Sequence, residues 1–127
     1  MKLEFDLKEL QKLNDKLKDL AESEFNALLD DTANMIAQVF LRNVTNLTPV
    51  DTGFLRGNWD IVRGRDYYQV YNNTIYGMYV NYGHRTRNGG WVEGQFFVEK
   101  SMEMTERSVK KIVRESLVEP LRRYLNG

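Results

Sequence analysis

Proline occurs only twice in this chain, and the first, Pro49, separates two stretches of different periodicity. Ahead of it, Leu7, Leu10, Leu13, Leu17 and Leu20 step by three or four residues, the spacing of one face of an amphipathic helix. Past Glu22-Ser23-Glu24 the stripe resumes at Phe25, Leu28, Leu29, Met35, Ile36, Val39 and Phe40, but in a different phase. That shift predicts either a bend near residues 21–24 or two helices. The leucine spacing persists for only about two heptads, short of the three or four a coiled coil needs, so the stripe is expected to pack within the chain. Leu3 and Phe5 alternate with charged residues and permit a short strand, and Asp6, with Glu9 three residues on, can cap the helix that begins there. Thr48-Pro49 ends the helix, because a residue before proline is pushed out of the αR region and proline has no backbone donor.

Behind Pro49 the pattern becomes strand-like. Trp59 and Ile61 alternate with Asn58 and Asp60, Gly64-Arg65-Asp66 makes a turn, and residues 67–71 are rich in aromatic and β-branched side chains. The pair reads as a β-hairpin closed by Asn72-Asn73. Tyr76, Tyr79 and Val80 then lie at i, i+3 and i+4, with Gly83 where a C-cap glycine would stand, so a short helix is preferred to a strand. Residues 84–90 contain no apolar side chain and end in two glycines, which predicts a mobile exposed loop. Trp91 and Val92 suit a short strand. From Gln95 the stripe Val98, Met102, Val109, Ile112, Val113, Leu117 and Leu121 predicts a long final helix, kinked or restarted at Pro120. The expected fold is α+β: N-terminal and C-terminal helices packed on a small antiparallel sheet, in one domain spanning residues 1–127.

Composition removes several function classes. The chain has no cysteine, which excludes disulfides and thiol chemistry. Its formal net charge is zero, which argues against bulk nucleic acid or an anionic membrane as the main partner. Neither a signal peptide nor a membrane span is expected, so the protein should be made and kept in a cytoplasm. The charge is uneven: residues 1–31 carry five lysines against nine carboxylates, residues 101–127 six basic against four acidic side chains. Opposed ends suit head-to-tail packing of identical copies, and a solvated helix face explains them equally well.

No catalytic, cofactor or metal site is expected. His84 is the sole histidine and has no serine near it in sequence. Asp51 and Asp60 resemble paired carboxylates less than Asp51 resembles the acceptor of a tight turn, Val50-Asp51-Thr52-Gly53. No glycine-rich phosphate loop is present. Arg85 and Arg87, with His84 and Trp91 nearby, offer a thin basis for nucleic-acid contact, and a partner-docking loop is the stronger reading. Tyr67, Tyr68, Tyr71, Tyr76, Tyr79 and Tyr82 pair large contact area with a polar tip, as interface residues do; about half should complete the core.

Two segments carry a family resemblance: Thr48-Pro49-Val50-Asp51-Thr52-Gly53-Phe54-Leu55-Arg56 and Tyr76-Gly77-Met78-Tyr79-Val80-Asn81-Tyr82-Gly83-His84-Arg85. With the order of segments over residues 1–105, they resemble the tail-completion (head–tail joining) family of long-tailed bacteriophages. The resemblance implies a small non-enzymatic α+β protein that joins neck and tail, usually as a ring. It assigns Thr48, Pro49, Asp51, Thr52, Gly53, Leu55 and Arg56 to a turn that locks the helix-to-sheet crossover. Tyr79, Val80, Tyr82 and Gly83 lead into the exposed loop, where His84, Arg85, Arg87 and Trp91 are candidate interface residues. Family members often carry Pro-x-Pro-Phe-Leu before the last helix, where this chain has Gly94-Gln95-Phe96-Phe97-Val98.

The implied partners are copies of the chain in a sixfold or twelvefold ring, the head connector or other neck proteins, and the tail tube or tail-terminator protein. No membrane partner is implied and direct nucleic-acid binding is not expected. Residues 84–90 would order on docking. The implied location is the virion tail or neck, after assembly in a bacterial cytoplasm. Alternatives are a tail terminator, a minor tail protein or, in another class, a small nucleic-acid-binding regulator.

Overall fold

The computed structural model describes residues 7–50 and 53–126. The expected strand at Leu3 and Phe5 and the Asp6 cap lie outside the described residues, as do Asp51 and Thr52. A single helix, α1 (Leu7–Leu47), leads through a 3₁₀ turn (Arg56–Asn58) into the antiparallel hairpin β1 (Trp59–Arg63) and β2 (Tyr68–Asn72). A short helix, α2 (Tyr76–Tyr82), is followed by a second antiparallel hairpin, β3 (Gly83–Arg85) and β4 (Trp91–Glu93). Helix α3 (Phe97–Val113) then passes through a π-helical turn (Arg114–Val118) into α4 (Glu119–Asn126). The fold is α+β, with two small two-stranded sheets. Among the described residues no helix is long and apolar enough to cross a membrane.

Helix α1 is one uninterrupted helix, not the two that the phase shift allows as an alternative. It contains no glycine or proline, and Ala21, Glu22 and Glu24 are good helix formers. The phase shift is accommodated by direction instead. At about 100° per residue, the Leu17–Leu20 stripe points more than about 90° away from the side bearing Ala37, Phe40 and Val44. The expectation that the leucine stripe packs within the chain is therefore corrected: Leu7, Leu17 and Leu20 are exposed, the last two at 57% and 61%. The side chains of Leu10 and Leu13 lie outside the described set.

The core is small. Val44, Leu55 and Phe97 are buried together, with Phe40, Trp59, Val70, Val80 and Val98 packed around them. Helices α1 and α3 meet along a seam of Phe97, Ser101, Thr105 and Ile112 on α3, all buried. The predicted stripe through Met102 is thus displaced, and Met102 is exposed. Ser101 Oγ donates to the Phe97 carbonyl at 2.6 Å and Thr105 Oγ1 to the Ser101 carbonyl at 2.7 Å. With their hydroxyls satisfied locally, these residues behave as small fillers that let two helices approach closely. Asn43 Nδ2 donates to Thr105 Oγ1 at 3.1 Å and ties the helices across the seam.

The first hairpin is held to α1 from outside the core. Arg63 Nη2 lies 2.8 Å from Asp30 Oδ1, and the Tyr68 hydroxyl donates to the same oxygen at 3.0 Å. The Arg63 guanidinium beside it, then the Tyr68 hydroxyl, hold the Asp30 carboxyl below its ordinary range. Pro120, expected to kink or restart the last helix, falls just after the π-helical turn. Proline removes one i−4 hydrogen bond and crowds the preceding turn, and the wider π register ahead of it relieves that crowding.

Candidate assembly interface

The first motif works as a cap for the C-terminus of α1. The last carbonyls of a helix have no partner within it, and Pro49 cannot extend the ladder. Thr48 is buried, and its hydroxyl donates to the Val44 carbonyl at 2.5 Å while accepting from Trp59 Nε1 at 2.8 Å. Arg56 Nε returns to the Thr45 carbonyl at 3.0 Å. Leu55, one residue earlier, fills the core at 3% exposure, and its own carbonyl accepts from Asn72 Nδ2 at 2.8 Å. Pro49 is half-buried beside Leu55 and Val80. Gly53 is exposed, and its carbonyl accepts the Gly57 N–H at 2.9 Å. The geometry binds the end of α1 to the start of the first hairpin.

The second motif is organised by Asn81, which the sequence reading assigns no role. Asn81 is 2% exposed. Its Oδ1 accepts the Val98 N–H at 3.0 Å, supplying the N-terminal cap that Phe96 itself does not. Its Nδ2 donates to both carboxylate oxygens of Glu99, at 2.9 and 3.1 Å. Its backbone carbonyl accepts the Phe96 N–H at 3.0 Å. Together these contacts hold Phe96 at φ 50°, the one left-handed non-glycine residue among those described. Slight burial works to raise the Glu99 pKa, but hydrogen bonds from Asn81, its own backbone N–H and Tyr82 outweigh it and hold the carboxyl below its ordinary value. A single polar residue between Val80 and Tyr82 is the only local signal for this role; its partners lie up to 18 residues away in sequence.

Gly83 caps α2 at φ 89° and turns the chain into β3. A Cβ there would meet the Val92 carbonyl oxygen at 2.6 Å, so the two strands can pair this closely only at glycine. His84 and Arg85 belong to a strand, pairing with Val92 and Trp91, so the loop proper is confined to residues 86–90, while exposure runs on through residues 91–93. Its tip is closed without a partner: Thr86 N–H donates to the Gly90 carbonyl at 2.9 Å, and the Gly90 N–H to Thr86 Oγ1 at 3.0 Å. The tip of the hairpin is thus held by hydrogen bonds within the chain. Arg85 and Arg87 are exposed, and His84 is half-buried, its ring 6.0 Å from that of Tyr79.

The two motifs place exposed aromatic side chains on α2 and beside it. Phe54 stacks edge-on against Tyr76, and Tyr82 against Phe96, each pair at 6.3 Å. Tyr79 and Trp91 are also more than half exposed. Of the six tyrosines assigned to core and interface, Tyr68 and Tyr71 are half-buried and the other four exposed, so none completes the core. Asp60 is exposed on β1, and its Oδ1 accepts the backbone N–H of Ile61 at 2.8 Å.

Comparison with curated proteins and with solved structures finds no match for this chain. A protein family described as "Bacteriophage HK97-gp10, putative tail-component" matches residues 11–83, which hold most of α1, the first motif, the first hairpin and most of the second motif. The chain belongs to this HK97-gp10-like family of bacteriophage tail components.

Proposed function

We propose that this chain is a non-enzymatic structural subunit of the virion, a tail-completion or neck protein whose copies form a ring joining the head connector to the tail tube. The observation that carries this reading is the exposure of the aromatic side chains Phe54, Tyr76, Tyr79, Tyr82, Trp91 and Phe96, set beside a small buried core. Exposed apolar patches mark protein interaction sites, and rigid aromatic side chains are the usual anchors of protein interfaces. Family membership supports a tail role, and the capped crossover and Asn81 hold the aromatic residues on rigid elements. The partners on this reading are further copies of the chain in a sixfold or twelvefold ring, with the neck or head-connector proteins on one side and the tail tube or tail-terminator protein on the other.

The test is the mass of the purified protein in solution, alone and with isolated tail tubes, followed by negative-stain imaging. Rings, or a cap at one end of the tube, are the expected result. A ring that closes tubes but ignores the head connector would make the protein a tail terminator. A monomer that ignores tubes yet binds DNA with steep salt dependence would overturn the reading in favour of nucleic-acid binding through Arg85, Arg87 and Trp91.

A further inference from the structure

The N-terminal half of α1 is built like a docking element. Every residue from 14 to 27 is exposed, although an isolated helix of such length is marginal in water. Its leucine stripe faces away from the core, as the phase of the helix requires. Glu24 lies seven residues after Leu17 and four after Leu20, hence within the stripe. That placement disfavours pairing of two identical arms in register, which would bring one Glu24 against another along an apolar seam. It favours an apolar surface that carries a cation.

Such a surface lies at the other end of the chain. Leu117, Val118, Leu121, Arg122 and Leu125 form one open apolar strip along the π-helical turn and α4. Leu125 is 72% exposed at its end, and Arg122 is its only charged residue. Leu17 to Glu24 and Val118 to Leu125 each span seven residue steps, about 10 Å of helix, so the surfaces match in length. They also lie at the acidic and basic ends of the chain.

We propose that the Leu17–Leu20–Glu24 stripe of α1 packs against the α4 strip of a second copy of this chain, with Glu24 against Arg122. The contact uses different surfaces on the two copies, so it repeats from copy to copy and closes when the rotation allows. It rests on the ring reading and assigns that ring one of its interfaces.

The absence of cysteine makes the test clean. Leu20→Cys and Leu125→Cys, both at exposed positions, are purified separately, mixed, assembled and oxidised. The expected product is a disulfide between one chain of each variant, at least about tenfold above the like-with-like products. In a second experiment, Glu24→Lys or Arg122→Glu alone weakens association of the copies about tenfold, and the two in one chain restore it. Leu20→Cys chains linked to each other would overturn the proposal in favour of arm-to-arm pairing. A normal oligomer lacking both the mixed cross-link and the charge response would overturn it and leave the ring reading standing. A wild-type chain that stays monomeric with and without tail tubes would overturn both.

Discussion

Arg56 Nε donates to the carbonyl of Thr45 at 3.0 Å, so a residue beyond the proline break completes the helix before it. Thr48 serves the neighbouring carbonyl of Val44 and the indole of Trp59. Thr48→Val keeps the shape but leaves the N–H of the half-buried Trp59 indole without its acceptor, and is expected to cost about 1–3 kcal/mol. Arg56→Ala, which frees a less buried carbonyl, should cost about 1 kcal/mol. Urea unfolding followed by circular dichroism measures both, and a larger cost for Arg56→Ala than for Thr48→Val would contradict the assigned geometry.

Glu99 gives the fold a dependence on acid. Its ordinary value is 4.5 and its folded value is lower, so its contribution is complete above about 4.5 and is lost as pH falls through the folded value. Asn81→Leu should flatten the fall in the urea midpoint between about pH 5 and pH 3, because the main hydrogen-bonding partner is gone. Asn81→Asp should invert that trend: it destabilises at pH 7, where two carboxylates meet, and recovers partly as one is protonated.

Gly83→Ala sets a Cβ against the Val92 carbonyl oxygen in a left-handed conformation. The expected cost exceeds about 1 kcal/mol, concentrated in the β3–β4 hairpin. Amide exchange localises it: protection should fall at residues 83–85 and 91–93 while α1 and the first hairpin keep theirs. Uniform loss across the chain would refute a local clash.

Trp91→Ala and Tyr79→Ala touch side chains more than half exposed. Thermal stability of the unassembled protein should move by less than about 0.5 kcal/mol, while self-association or tube capping weakens about tenfold or more. Phe97→Ala is the contrasting control, because deleting a buried phenyl from so small a core should cost about 3–5 kcal/mol and compromise folding.

Local periodicity made most of the elements legible. The helix ahead of Pro49, the hairpin around Gly64 and the glycine stop after Tyr82 each come from chemistry within a few residues. What stayed hidden depends on partners distant in the chain. Ser101 and Thr105 read as polar, yet they are buried on α3 because their hydroxyls turn back on their own backbone. Asn81 has no local signature beyond its polarity between Val80 and Tyr82, since the groups it serves begin at Phe96. The leucine stripe of α1 obeys helical periodicity well, but periodicity records a face without naming the molecule that covers it. The motif of residues 48–56 was visible as a turn, while the return of Arg56 to Thr45 required the three-dimensional path.

The π-helical turn at Arg114–Val118 sets the azimuth of everything after it. Such a turn carries one more residue than an α-helical one for about the same rotation, so re-closing it in α-helical register with every residue kept would rotate α4 by about 100° about its axis. Leu121 and Leu125 would then face another neighbour while the crossover, the hairpins and Asn81 stayed in place. The segment lies beyond residue 83, where the family match ends. In an assembly of repeating copies, the hydrogen-bond register of this one turn is a phase dial: it can redirect which surfaces meet without redesigning either.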